Sequence, residues 1–341
     1  YEATITYGTS SKLCTFEVEV DGFKELNDIA ASYVGGNSTT YEALPEELFT
    51  VCDIITCGFA YPASDGTFNN SSVNSLNYTY YLPKMASYAI PKAHAEGTWI
   101  LISICGVSGD YDAALETICK SDELIDTFVT NIINLINTYG FDGVDMDWEV
   151  PSDGALFTKL MKKLYAAVKA NNPNHLVTAA IGGGMWQPPY YDLGNSCNYV
   201  DYINLMTYNM TTNSGYHHTA LNPSSSYNNT TYNVGKTLTS CSVSESIKIY
   251  NDYGVPSNKI IVGSGFYGIK QTRTTTSDSF ANGKTVSYKE IKSTYLTDSS
   301  YKYYYDSVSQ APYLISNDGL TFISYENEIS VKYGAKVNVE F

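Results

Sequence analysis

The chain has 341 residues, 43% of them apolar, which is enough for a large core in one or two domains. It carries 35 acidic against 20 basic residues, a formal net charge of -15. This acidity, with no basic stripe, argues against nucleic-acid binding and favours an uncharged substrate. No apolar run approaches the roughly 18 residues that a membrane-spanning helix needs.

Short apolar runs predict the strands of a parallel sheet. Stretches with helical periodicity separate them, and this alternation is typical of strand–helix units. Because the runs are almost continuously apolar, we expect strands that are buried on both faces. The runs lie at residues 28–34, 51–61, 98–106, 141–150, 175–183, 200–208 and 259–268. Seven runs favour an α/β fold of the (β/α)8 TIM-barrel type, with an eighth strand that is missing or supplied otherwise.

Two segments do not follow this alternation. Residues 1–26 have the pattern of a β-hairpin, an N-terminal extension of unknown role. Residues 269–320 are polar and rich in tyrosine, which predicts a small α+β subdomain inserted after the seventh run. The barrel itself is therefore expected to comprise residues 27–268 and 321–341.

Potential glycosylation sites indicate a secreted glycoprotein. The Asn-x-Ser/Thr pattern begins at Asn37, Asn69, Asn70, Asn77, Asn209, Asn228 and Asn229. Seven cysteines lack metal-site spacing, so up to three disulfides are expected in an oxidising compartment. Cys52 and Cys57 are poor partners for each other, since they point to opposite faces of one strand. Because the chain begins at Tyr1 without Met, we expect a removed leader or an excised fragment.

The run "GFDGVDMDWEVP" (140–151) carries a row of acids. In a strand, Asp145, Asp147 and Glu149 share one face, and the apolar residues between them share the other. Glu149 is nearest the carboxyl end of the strand, where barrel active sites are built. Asp142 has the opposite parity and is expected to be structural.

Three aligned acids cannot all ionise cheaply, because neighbouring like charges raise a pKa and force protons to be shared. A carboxyl group that stays protonated near neutral pH can protonate a leaving oxygen. A calcium loop or a solvated strand edge would explain the acids differently. The large apolar residues between the acids, such as Met146 and Trp148, fit neither alternative.

The spacing of Asp142, Asp145, Asp147 and Glu149 resembles the DxxDxDxE signature of family 18 glycoside hydrolases, the chitinases and their relatives. Other segments resemble further family motifs in the same order. "SICG" from Ser103 is similar to SxGG, "MTYN" to MxYD and "GFYGI" to PxYGR. "GYHHTAL" and "TFISYENEIS" resemble the segments that follow the sixth strand and return to the barrel. The likeness extends over about residues 27–341.

The resemblance implies a retaining mechanism in which the substrate's 2-acetamido oxygen attacks the anomeric carbon, an exception to the two-carboxylate scheme. It implies that Glu149 is the acid and later the base. Asp147 would orient the acetamido group, Asp145 would share a proton with Asp147, and Tyr208 would donate a hydrogen bond to the acetamido oxygen. Ser103 would support Asp145.

The resemblance implies no metal and no cofactor. The pair His217–His218 is interpreted as loop structure rather than as a ligand pair. Met206 is expected to lie under the sugar, and Asn209 stands where the family has Asp. The predicted substrate-binding residues are Ser103, Met206, Asn209, Phe59, Trp186 and Tyr267.

The leading functional prediction is hydrolysis of β-1,4-linked N-acetylglucosamine in chitin or chitooligosaccharides. One alternative is an endo-β-N-acetylglucosaminidase that acts on glycoproteins. Another is a non-catalytic chitin-binding lectin or wall protein on the same barrel. The family's eighth strand, with its tryptophan, has no counterpart in the sequence. We therefore expect the gap beside the first strand to be filled by an additional chain, a C-terminal segment beyond Phe341, or a strand from 1–26.

Overall fold

The computed structural model of the protein describes residues 2–7, 10–15, 22–35, 41–68, 82–107 and 109–337, with side chains from residue 22 to residue 335 within these ranges. Their backbone forms a two-stranded, a five-stranded and a seven-stranded sheet. The strands, numbered β1 to β14 along the chain, are introduced with the sheet to which each belongs.

The largest sheet is parallel, and each strand pairs with the next one along the chain. It corresponds to the seven apolar runs of the sequence. Its strands are β3 (Ala31–Val34), β4 (Ile54–Ala60), β5 (Trp99–Cys105), β6 (Gly143–Asp147), β7 (Leu176–Gly182), β8 (Tyr202–Met206) and β9 (Ile260–Val262).

The sheet curls so that its first and sixth strands come within hydrogen-bonding distance. The amide Nδ2 of Asn204 on β8 donates to the hydroxyl of Tyr33 on β3 at 2.8 Å. In a flat sheet these two strands would lie about 24 Å apart, since neighbouring strands are separated by roughly 4.8 Å. The contact therefore requires the curvature of a barrel, with polar side chains inside it.

Helices connect the strands and cover the outside of the sheet. The helix Asp122–Tyr139 begins where the Ser121 hydroxyl accepts a hydrogen bond from Leu124 N, and it ends at Gly140 in the left-handed conformation. The helix Gly154–Asn171 follows β6. The other α-helices span Glu46–Val51, Ile90–Ala95, Asp110–Cys119, Leu193–Ser196, Val243–Asp252, Tyr288–Glu290 and Glu328–Val337.

Shorter helical turns complete the connections. Two are π-helical, Met85–Ala89 and Ile291–Tyr295. Three are 3-10 turns, Pro188–Tyr190, Cys197–Tyr199 and Ser257–Lys259. The inner faces of the helices pack with the outward residues of the barrel strands in one continuous apolar core. Inside the barrel, a smaller apolar cluster fills the amino-terminal end, with Ile54, Trp99, Leu101 and Leu176. Above it the inward residues are polar, among them Ser103, Asp145 and Thr178.

The second sheet is antiparallel, with the order β11-β10-β14-β13-β12. Its strands are β10 (Tyr267–Thr272), β11 (Ala281–Ser287), β12 (Tyr301–Asp306), β13 (Ala311–Ser316) and β14 (Thr321–Tyr325). The sequence placed residues 321–325 in the barrel, whereas in the structure they pair with β10 and β13. The end of the seventh run, predicted as barrel strand, likewise lies in β10.

The barrel strands at the two ends of the large sheet each pair on one side only within the described residues. The strands β1 (Glu2–Tyr7) and β2 (Ser10–Thr15) form the predicted hairpin but pair only with each other. Neither β1 nor β2 joins the barrel sheet. The prediction that a strand from 1–26 closes the barrel is therefore wrong for these two strands. Closure by chain outside the 341 residues stays a prediction.

Residues just after the hairpin cover the amino-terminal end of the barrel. The ammonium group of Lys24 donates to the carbonyl oxygens of Phe49 and Cys52, at 3.0 and 2.8 Å. The ring of Phe23 stacks on Trp99 with 4.1 Å between centroids. These contacts hold the segment against the helix Glu46–Val51 and the start of β5.

The predicted disulfides are not found among the cysteines whose side chains are described. Cys52, Cys57, Cys105, Cys119, Cys197 and Cys241 are all free thiols. They lie on separate strands, helices and loops, and in the parallel register Cys57 lies opposite Ile102 rather than Cys105. The side chain of Cys14 lies outside the described residues, as do the potential glycosylation sites Asn37, Asn69, Asn70 and Asn77. No helix in the described part of the chain could cross a membrane.

Candidate active site

The row of acids lies on β6, in the middle of the large sheet. Gly143 begins this strand at φ +150, and a Cβ there would lie 2.0 Å from the Leu176 carbonyl oxygen, so only glycine permits this approach to β7. Val144 and Met146 point outward into the apolar core, as the alternation predicts. Asp145 and Asp147 point inward and are 0% and 6% exposed.

Asp145 is held by neutral donors from three other strands of the sheet. Ser103 Oγ donates to it at 2.7 Å, Thr178 Oγ1 at 2.6 Å and Asn204 Nδ2 at 3.3 Å. The Tyr33 hydroxyl is a further hydrogen-bond partner. Burial raises the pKa of Asp145 above its usual value, and these hydrogen bonds oppose the shift.

Asp147 has fewer partners and a larger shift. Burial, followed by the charges of Asp145 and Glu149, raises the pKa of Asp147 to about 8. Its Oδ1 atom is buried without a hydrogen-bond partner among the described residues. Because both aspartates have raised pKa values, the pair retains a proton at neutral pH.

Glu149 follows the end of β6, where the inward face of the barrel opens. It is half-buried, and burial raises the pKa of its carboxyl group. The Tyr191 hydroxyl donates to the backbone carbonyl oxygens of Trp148, at 3.0 Å, and of Glu149. Trp148 is also held from outside, since its indole N–H donates to Asp112 Oδ1 at 2.7 Å. The backbone that presents Glu149 is thus fixed on both sides.

A cleft of about 320 Å³ opens beside Glu149. Its walls come from the ends of β7 and β8 and from the loop around residue 240. The side chains that line it are Glu149, Met185, Trp186, Gln187, Met206, Tyr208, Asn209, Met210, Ser240 and Cys241. Trp186 stands at its rim, 57% exposed, with its ring edge toward Tyr190.

Tyr208 lines this cleft and carries a hydroxyl group. Burial raises the pKa of Tyr208, so its hydroxyl keeps its proton and can donate a hydrogen bond. Tyr267 contacts it edge-to-face, with 6.2 Å between ring centroids. Asn209, exposed and in the left-handed conformation at φ 54, is hydrogen-bonded to Tyr267.

Residues 30–339 match the family described as Glycosyl hydrolases family 18. The chain belongs to this family. It is 26% identical to Chitinase A1 of Niallia circulans over 239 residues, which are 61% of this chain and 34% of the relative. It is 30% identical to a probable endochitinase of Caenorhabditis elegans over 224 residues, 60% of this chain and 35% of that one. The chain thus spans about a third of the length of these curated relatives.

A solved family 18 N-acetylglucosaminidase from Paenibacillus barengoltzii shares the fold. It superposes with a TM-score of 0.73 at 23% identity, over 92% of this chain and 93% of that one. The glycoside hydrolase family and the TIM-barrel class that the sequence predicts are therefore confirmed. The eighth strand is not seen among the described residues.

The structure brings most of the predicted family 18 site residues together. Glu149, Met206, Tyr208, Asn209 and Trp186 line one cleft, and Tyr267 contacts Tyr208 beside it. Ser103, Asp145 and Asp147 lie next to one another beneath the cleft. Phe59, half-buried near the end of β4, is not among the residues that line the cleft, and its role stays a prediction.

Asp142 lies away from the cleft, just before the start of β6. Its carboxylate contacts His94 Nε2 at 3.0 Å and accepts from Ile100 N at 2.8 Å. These contacts support the structural role expected from its parity. Within the described residues, no group of three or more His, Cys, Asp or Glu side chains could hold a metal ion.

Sequence reasoning missed several members of the site. Thr178, Asn204 and Tyr33 contact Asp145 from other strands. Each is a polar residue inside an otherwise apolar run, and that is the signal that could have identified it. Tyr191 and Cys241 gave no such signal, because both lie in irregular polar segments.

Proposed function

We propose that this family 18 chain is a retaining hydrolase of β-1,4 N-acetylglucosamine linkages in chitin or chitooligosaccharides, with the substrate's acetamido oxygen as nucleophile. The observation that carries the proposal is the position of Glu149. Its carboxyl group, with a raised pKa, lies at a cleft directly above the Asp145–Asp147 pair. Relatives that share this family are named as chitinases, which supports chitin as the substrate.

Glu149 acts first as an acid and then as a base. Burial raises the pKa of its carboxyl group and so favours the protonated form, which donates to the glycosidic oxygen as that bond breaks. The acetamido oxygen forms the new bond to the anomeric carbon, giving a cationic oxazolinium ring. Glu149, now ionised, takes a proton from the water that opens the ring, and the original configuration is restored.

Asp147 and Asp145 serve the acetamido group. The unpartnered Oδ1 of Asp147 accepts from the acetamido N–H, while the retained proton occupies the other side of the pair. Asp145 cannot take this role itself, since neutral donors already occupy its oxygens. Negative charge on the pair then stabilises the oxazolinium ion in a water-poor site.

The aromatic residues of the cleft position the sugar. Tyr208 donates a hydrogen bond from its hydroxyl group to the acetamido oxygen and so directs that oxygen toward the anomeric carbon. Met206 supplies an apolar floor under the sugar. Trp186 offers an exposed ring face at the rim, suited to stacking on a neighbouring sugar of the chain.

The test is Glu149→Gln, which keeps the shape of the side chain but cannot donate a proton. Hydrolysis of the N-acetylglucosamine tetramer should fall by roughly 10²–10⁴-fold, while binding survives. The matched control is Glu123→Gln on the outer face of the helix Asp122–Tyr139, which should leave the rate unchanged. Equal activity of wild type and Glu149→Gln would exclude Glu149 as the acid.

Substrate controls separate this proposal from its alternatives. Glucose oligomers lack the acetamido nucleophile, so the enzyme should not cleave them. Release of intact glycans from a glycoprotein, without cleavage of chitin oligomers, would favour the endo-β-N-acetylglucosaminidase alternative. Binding of chitin without hydrolysis would favour the lectin or wall protein. The same family background leads us to propose a secreted location.

A further inference from the structure

The loop that follows β9 packs directly against Tyr208. A Cβ on Gly263 would lie 2.9 Å from Tyr208 Cε1, and one on Gly265 would lie 3.2 Å from both Tyr208 Cβ and Tyr267 Cε1. A side chain at Gly263 would displace its neighbours, and one at Gly265 would make tighter contacts than side chains usually make. Thr207 Oγ1 also donates to the Gly263 carbonyl oxygen at 2.7 Å. The placement of the Tyr208 ring therefore depends on the placement of this loop.

A carboxylate from the second sheet holds the same loop from behind. Glu326 follows the end of β14, and its Oε2 atom accepts from the Ser264 hydroxyl and from Gly265 N at 2.8 Å. Thr219, in the segment after β8, is a third hydrogen-bond donor to Glu326. Three segments that are distant in sequence thus meet at one carboxyl group, and that group does not line the cleft.

The surroundings of Glu326 make its charge state adjustable near neutral pH. Burial raises the pKa of Glu326 to about 7, although its three hydrogen bonds act in the opposite direction and lower it. No charged side chain of the described residues contributes to this shift. The titratable group that faces it is Tyr267, whose pKa it helps to raise, and His218 lies next to Thr219 in the sequence. His218 stacks on Tyr267, and burial lowers its pKa to about 3, so it is neutral at pH 7.

We propose that Glu326 is a positioning residue for the reaction, which holds the 263–265 loop and thereby sets where Tyr208 presents its hydroxyl group to the acetamido oxygen. This inference rests on the proposed function. An ionised carboxylate accepts stronger hydrogen bonds than a protonated one, so the loop is held more firmly above about pH 7. Glu326 would act through Tyr208 and would not touch the substrate.

The test compares Glu326→Gln with the wild type across pH, using the N-acetylglucosamine tetramer. At pH 8.5 the wild type should have roughly tenfold higher kcat/KM, because only it has the charged acceptor. At pH 5.5 the ratio should approach one, since Glu326 of the wild type is then protonated. Titration of Glu149 and Asp147 affects both enzymes and cancels in this ratio. Glu326→Asp, which keeps the charge, should recover part of the loss at pH 8.5.

The matched control is Glu328→Gln, two residues further on. Glu328 is exposed and pairs with Lys292 and Tyr288, away from the loop. The kcat/KM of Glu328→Gln should therefore stay close to that of the wild type at both pH values. A Glu326→Gln ratio that does not change with pH would overturn the proposal.

A measurement without substrate separates this inference from the proposed function. The Gly265 N–H should exchange with deuterium several-fold faster in Glu326→Gln than in wild type at pH 8.5, with no change in Glu328→Gln. Unchanged exchange in the core strand β6 would show that the variant is folded. If the wild type did not cleave chitin oligomers, the proposed function would fail, and the hold on the loop would be judged by this exchange alone. Equal deuterium exchange at Gly265 in wild type and Glu326→Gln would overturn the proposal that Glu326 holds the loop.

Discussion

The two ends of strand β6 carry buried carboxyl groups in opposite circumstances. At the amino-terminal end, Asp142 has a histidine and a backbone N–H as partners, His94 and Ile100. At the other end, Asp145 has neutral donors only, and Asp147 has an oxygen without any described partner. The segment from Asp142 to Asp147 therefore contains one carboxyl group that is matched to a histidine and a pair that is not.

We expect the two ends to differ in role, the lower one contributing to stability and the upper one to the reaction. At the lower end the pKa of His94 is raised, chiefly by its hydrogen bond to Asp142, so the pair favours the charged form of the histidine. At the upper end burial and like charge raise the pKa of Asp147, so the folded protein opposes ionisation there. The strand thus retains a proton at the end that borders the cleft, where the proposed reaction would use it.

The largest effect within this comparison is expected at Asp147. In the proposed reaction the Asp145–Asp147 pair shares one proton and one negative charge, and Asp147→Asn removes the carboxyl group of Asp147 from that pair. The rate on the N-acetylglucosamine tetramer should therefore fall by about 10²-fold or more, measured as kcat at saturating substrate. A rate within threefold of wild type would show that Asp147 is not part of the reaction.

The same variant should gain relative stability as pH rises. In the wild type the folded-state pKa of about 8 lies above the usual value for aspartate, so the native state binds more protons than the unfolded chain across roughly pH 4–8. Stability is therefore lost as pH increases through this window, and asparagine does not titrate. The difference in Tm between Asp147→Asn and wild type should shift in favour of the variant from pH 4.5 to pH 8.5. A constant difference would contradict the raised pKa.

A smaller effect on the rate is expected from the donors to Asp145. Ser103→Ala removes a hydrogen bond of 2.7 Å to the charged form, so the pKa of Asp145 should rise further. We expect kcat/KM to fall by roughly tenfold and its acid limb to move to higher pH. Thr178→Val should act in the same direction. Thr130→Val, on an exposed helix face, is the control and should change neither quantity.

The smallest effect on activity is expected at the lower end of the strand. Asp142→Asn should leave kcat nearly unchanged but lower the Tm by a few degrees. The folded-state pKa of His94 lies above its usual 6.5, so the contribution of this pair is present below that value and is lost as pH rises through the folded-state pKa. The loss in Tm should therefore be larger at pH 5.5 than at pH 9. A large fall in kcat with unchanged Tm would reverse the assignment of the two ends.

Local patterns predicted much of the molecule because the relevant physics acts over short distances. The alternation in "DMDWE" placed Asp145 and Asp147 on one face, and the structure agrees. Ser121 and Gly140 cap the helix Asp122–Tyr139, and such capping depends only on adjacent residues. The boundary of the second sheet was misplaced, because β14 joins that sheet by pairing with β10, about fifty residues away.

The sequence by itself determined the family, the strand–helix alternation and the order of acids along β6, all of which follow from side-chain periods and motif spacing. Only the tertiary structure decided which neutral donors surround Asp145, since Thr178 and Asn204 reach it through strand register and barrel curvature. It also decided that Glu326 meets the loop behind Tyr208. Contacts between distant segments depend on how sheets pack, and no period in a single chain encodes that packing.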